Sequence, residues 1–101
     1  MLKIAAPILF LCLSNCVAPP APYEEFTIAR SAVRAAEEFD SARFAPGLYN
    51  KAEDNFREGQ KAFKEAEYDQ AKKYFTNAIQ YAERAENATR LKKFQSGESF
   101  P

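Results

Sequence analysis

Between Leu48 and Ser96 the chain holds no proline and a single glycine, Gly59, while its apolar residues return every three or four positions. A strand would alternate with a period of two; an α-helix comes back to the same face after 3.6 residues. The spacing starts at Tyr23 and has one marked break, Phe44-Ala45-Pro46-Gly47. Such a chain is confined to helices packed on helices. Eighteen of the 101 residues are Ala, the best helix former. The expected fold is all-α, a three-helix up-down bundle with helices over about 23–43, 46–66 and 69–93.

In the first helix Phe26, Ala29, Val33 and Ala36 form one row, and Ile28, Ala32, Ala35 and Phe39 an adjacent one. Glu24 and Glu25 fall in its first turn, where negative charge suits the helix dipole. Pro46 pushes Ala45 away from helical geometry and is well placed to open the next helix. That helix carries Leu48, Ala52, Phe56, Gly59, Phe63 and Ala66 on its stripe. A glycine there is explained by close approach of a neighbouring helix. The third helix takes Asp69 as its N-cap and buries Ala71, Phe75, Ala78, Ala82 and Ala85, with Tyr74, Tyr81 and Ala88 widening the face. Residues 95–101 read as a disordered tail.

No Gly or Pro marks the turn near Glu67-Tyr68. The alternative is a single rod about 70 Å long at 1.5 Å per residue. A rod leaves aromatic stripes without partners in the same chain, whereas a hairpin lets them bury one another. The hairpin is the expectation.

The N-terminal segment is of another kind. Lys3 is followed by an uncharged apolar run, Ile4 to Leu13. A membrane-spanning helix needs about 20 such residues. Ten suit a signal-peptide core. The run ends at Leu13-Ser14-Asn15-Cys16, and Val17-Ala18-Pro19-Pro20-Ala21-Pro22 follows. Six residues in the extended polyproline form, at ~3.1 Å each, span roughly 19 Å. The run and its end resemble a bacterial lipoprotein signal, which implies a signal peptide over 1–15 and a modified Cys and spacer over 16–22; the helical domain is expected over 23–94.

Leu13-Ser14-Asn15-Cys16 resembles the lipobox of bacterial lipoproteins: Leu, a small residue, then Gly, Ala or Ser, then Cys. Leu13 and Ser14 match; Asn15 is larger than the usual residue. The resemblance implies that Cys16 carries diacylglycerol and becomes the first mature residue, with further acylation such as palmitate. Several acyl chains give stable membrane anchoring where one gives only weak binding. In enterobacterial lipoproteins Asp after the Cys favours the inner membrane, so Val17 favours the outer membrane, periplasmic face. The alternative is an ordinary, unprocessed Cys16 in a soluble periplasmic or secreted helical helper that binds peptides.

Residues 52–85 resemble one tetratricopeptide repeat, with Gly59, Tyr68, Ala71, Phe75 and Ala78 at the expected places. Ala66 stands where the repeat's turn glycine is usual, and Asn55 and Glu83 replace its Trp and Pro. Lipobox, Ala-rich helix, Phe44-Ala45-Pro46 turn and repeat-like hairpin together resemble small bacterial lipoproteins carrying domain of unknown function forty-three ninety-eight. That resemblance covers about Glu24 to Ala88 and implies no particular activity.

The remaining chemistry is mostly exclusion. There is no His, hence no Ser–His or Cys–His pair, and two Cys do not make an ordinary zinc site. Phosphate-cradling glycine motifs are missing, and zero net charge argues against nucleic-acid binding. Adjacent carboxylates, as at Glu53-Asp54, point in different directions on a helix and read as solvated. No catalytic residue, metal, cofactor or small-molecule substrate is expected. Candidate partner contacts are Tyr49, Tyr74 and Tyr81 at the stripe edges. Arg84, Arg90, Lys92 and Lys93 are a candidate docking patch for an acidic partner or lipid headgroups. The expectation is a non-catalytic module that meets an envelope protein, or a second copy of itself, while acyl chains on Cys16 hold it to the membrane.

Overall fold

The computed structural model describes residues 20–97, as four helices: α1 (Tyr23–Glu38), α2 (Ser41–Phe44), α3 (Pro46–Lys64) and α4 (Tyr68–Gln95). Residues 1–19, including Cys16, lie outside the described residues, as do positions 98–101. Three long helices run up, down and up, and α2 is a single turn at the upper corner. The expected bundle is therefore present, with different boundaries.

The first expected helix is interrupted. It stops at Glu38, and Asp40 takes a left-handed conformation at φ 69°. Asp tolerates that region better than most residues because its short polar side chain can bond locally. α2 then adds one turn before Ala45, whose φ of −139° and ψ of 59° keep it out of helical geometry, as expected of a residue before proline. Pro46 opens α3 as expected.

The second turn resolves the choice between hairpin and rod. Ala66 sits at φ 58°, its N–H donates to the Phe63 carbonyl and the Glu67 N–H to the Ala62 carbonyl. This is a Schellman ending built on alanine in the place where glycine is usual. It ends α3 at Lys64, two residues earlier than expected. α4 starts at Tyr68, with Glu67 at the cap position and Asp69 inside the first turn rather than capping. It runs two residues past Lys93, so the start of the expected tail is helical.

α4 packs against all three other helices, most extensively against α3. Its expected stripe, Ala71, Phe75, Ala78, Ala82 and Ala85, is wholly buried. The core divides into two layers. The lower holds Ala29, Ala62, Ala71, Phe75 and Ala78, packed against the half-buried Phe26, Phe56, Phe63, Tyr74 and Ile79. The upper holds Ala36, Ala45, Tyr49, Ala52, Ala82 and Ala85, with Ala32, Val33, Leu48, Tyr81 and Ala88 around it. Phe75 rings the lower layer with aromatic partners, at centroid distances of 5.4 Å to Phe26, 5.9 Å to Phe56 and 6.5 Å to Phe63. Gly59 admits that ring: a Cβ there would lie 2.6 Å from two Phe75 carbons. The close approach expected of this glycine is a ring from α4 pressed on the α3 backbone. In α1 the first row faces inward, while the second is split: Ala32 and Phe39 are half-buried, and Ile28 and Ala35 are exposed.

Candidate functional site

Two ends of the bundle carry unusual side chains, and among the described residues the sequence candidates other than Tyr74 lie toward the upper one. At the upper corner the buried stripe of α4 continues past Ala85 to Thr89 and Lys93, and both are buried. Thr89 Oγ1 lies 2.7 Å from the Ala85 carbonyl and 3.0 Å from Ser41 Oγ, itself fully buried on α2. A hydroxyl has one proton. With Thr89 donating to the carbonyl, Ser41 supplies the proton between the two hydroxyls.

Lys93 Nζ donates to the Phe39 carbonyl at 2.8 Å, over the rings of Phe39 and Phe44 at 4.6 and 5.5 Å. Lys92 Nζ donates to the Phe44 carbonyl. These carbonyls end α1 and α2, where a helix leaves acceptors without intrahelical donors. Arg90 pairs with Glu86 at 2.7 Å and lies over the Phe39 ring at 4.8 Å. The structure therefore gathers three of the four basic residues at the upper corner and leaves Arg84 apart. Arg90, Lys92 and Lys93 turn to partners within the chain, and Arg84 lies over the Tyr81 ring at 5.8 Å. Beside the exposed Arg90 and Lys92, the last turns of α4 also present apolar side chains outward: Leu91 is 59% exposed and Phe94 73%.

Tyr49 is a core residue, 6% exposed, whose hydroxyl donates to Glu53 Oε1 at 2.8 Å. Burial, aided by the Glu53 carboxylate that accepts its proton and by the charge of Glu37, pushes its pKa up to about 12. It offers little surface to a partner. Its expected place at the stripe edge fails because α3 turns both Leu48 and Tyr49 inward, on a stripe wider than one row. Tyr74 and Tyr81 are half-buried two turns apart on α4, Tyr74 beside the lower layer and Tyr81 beside the upper. Lys51 reaches over the Tyr81 ring at 5.6 Å.

The lower end holds an apolar groove of about 320 Å³ between the first turns of α1 and the last of α3. Tyr23, Phe26 and Phe63 form it, with Gln60 and Lys64 on the rim. Tyr23 meets Phe63 edge-on at 5.3 Å, yet is 67% exposed. The chain enters this end through Pro22, at φ −81° and ψ 61°, with the Tyr23 N–H donating to the Ala21 carbonyl at 2.9 Å. That is an inverse γ-turn. Among the described residues no group of three or more His, Cys, Asp or Glu is placed to hold a metal.

Fold and surface together define a small Ala-cored helical bundle with a clearly apolar groove at its lower end. A family model described as Domain of unknown function (DUF4398) matches residues 24–97, and the chain belongs to that family. No curated protein and no solved structure matches it.

Proposed function

We propose that this protein is a lipid-anchored component of the bacterial cell envelope, held through acyl chains on Cys16. In this reading it lies on the periplasmic face of the outer membrane and acts by protein–protein contact without catalysis. One observation carries the reading: an uncharged run from Ile4 to Leu13 ends in Leu13-Ser14-Asn15-Cys16 and is followed at once by a Pro-rich spacer. Among the described residues no helix is long and apolar enough to cross a membrane. Attachment in this reading therefore rests on the Cys16 lipid. Val17 in place of Asp supports the outer membrane. The bundle's exposed apolar side chains support contact with another surface over chemistry in a pocket.

The test is an intact mass of protein extracted from membranes, beside a Cys16→Ser variant. An acylated N-terminal Cys16, with the variant released to the soluble fraction, supports the anchor. An uncut or differently cut chain with a free thiol overturns it and transfers the protein to the soluble, peptide-binding alternative.

A further inference from the structure

The groove at the lower end stands closest to where the anchor enters. Tyr23 is seven positions after Cys16, and the six residues between span roughly 19 Å at full polyproline extension. The Pro22 turn bends the entry and shortens that reach. A tethered groove meets its surface at the high effective concentration that a short linker sets, so even a weak contact is occupied.

Its chemistry fits a bilayer interface. Tyr and other amphipathic rings concentrate at the headgroup level, with the ring in the acyl boundary and the hydroxyl in water. Tyr23 is exposed, the Phe26 and Phe63 rings back it, and Lys64 on the rim has a long stem that can keep its charge at the headgroups. The same end carries Glu24, Glu25, Glu65, Glu67 and Asp69 beside Lys61, Lys64, Lys72 and Lys73, a near balance, so attraction to anionic lipid does not drive the contact. The aromatic surface does, once the tether has brought it close. Leu91 and Phe94 lie at the other end of α4. Phe94 is roughly 40 Å from Tyr68 at 1.5 Å per residue, and it points away from the membrane when the groove faces it.

We infer that the Tyr23–Phe26–Phe63 groove rests on the membrane that holds the Cys16 lipid and so sets the bundle upright, with Leu91 and Phe94 outermost. This rests on the anchor reading and adds an orientation to it. The chain has no Trp, so a single Trp is a clean reporter. The lipidated protein would be reconstituted in phosphatidylethanolamine vesicles with brominated acyl chains, carrying Tyr23→Trp or, separately, Phe94→Trp. Gln60→Trp, on the groove rim, is the second reporter should Tyr23→Trp fail to fold.

The expected result is blue-shifted, strongly quenched emission from the groove reporters and unshifted, unquenched emission from position 94. Groove reporters that stay solvent-like on a protein of acylated mass overturn the orientation and leave the anchor intact. A blue shift without bromine quenching overturns it in favour of a protein or peptide occupant. Equal quenching at both ends overturns it as unspecific adsorption. A mass without acylation removes the tether and overturns both readings.

Discussion

Single residues hold this small bundle in places where their type runs against local preference. Ala66 is the plainest case, an L-residue at φ 58° closing α3. The left-handed region costs such a residue about 1–2 kcal/mol, part of which a glycine returns through its greater freedom in the unfolded chain. Ala66→Gly is therefore expected to stabilise the protein by about 1 kcal/mol, a rise of roughly 4–8 °C in Tm for a domain this size. Thermal melts followed by circular dichroism measure it; an unchanged or lower Tm would mean that the turn is not strained.

Tyr49 gives the same scale a pH dependence. An unfolded Tyr loses its proton near pH 10, whereas buried Tyr49 keeps its own to about 12. Between those values the folded state binds the extra proton, so stability falls as pH rises. Its contribution is whole below pH 10 and gone above 12, on the order of 3 kcal/mol across the window. A near-ultraviolet titration should show one late tyrosinate, and Tyr49→Phe should remove that step. A titration with no late step would contradict the burial.

At the scale of elements, the upper corner is joined by polar contacts where an Ala-rich surface has little else to offer. Lys93 replaces a core residue at the end of the α4 stripe and supplies a donor to the end of α1. Hydrogen bonds made by charged groups contribute about 1.5–3 kcal/mol. Lys93→Met keeps the stem and loses the donor and the charge. It should cost about 2 kcal/mol, and amide exchange should accelerate first between Phe39 and Ala45. Acceleration spread evenly over all helices would sink the idea of a separate clamp.

The sequence made the helices and the α4 stripe legible because alanine and phenylalanine at steps of three and four have no other use. Extending that same stripe by four and four lands on Thr89 and Lys93, so the corner was within reach of the pattern. It was obscured because a Lys near a helix C-terminus reads equally well as a solvated, dipole-matched charge. The Phe39-Asp40 break carried no Gly or Pro to announce it, and Tyr49 went astray because the pattern gives the centre of a stripe better than its width. The groove joins α1 to α3 across the bundle, a juxtaposition that no spacing within one helix reports.

Across the whole molecule, both core layers draw on the same three long helices, and Ala45 between α2 and α3 adds to the upper one. α1 gives Ala29 to the lower and Ala36 to the upper, α3 gives Ala62 and Ala52, and α4 gives Ala78 and Ala82. Neither layer has a long helix of its own, so the two are expected to unfold together. Among the described residues the wholly buried side chains are small except for Phe75, which meets aromatic rings from both α1 and α3. Truncating a buried Phe to Ala costs about 3–5 kcal/mol. A domain this small has a total stability of only about 5–10 kcal/mol. Phe75→Ala should therefore lower the Tm drastically, and it should remove the upper layer together with the lower in one transition. Phe75→Leu, which refills most of the volume, should keep the fold at a reduced Tm. Circular dichroism would follow the helices, and the late Tyr49 titration would report the upper layer independently. If Phe75→Ala lost the aromatic layer while Tyr49 still titrated late, the layers would be separable and the molecule would be two units on one long helix instead of a single cooperative bundle.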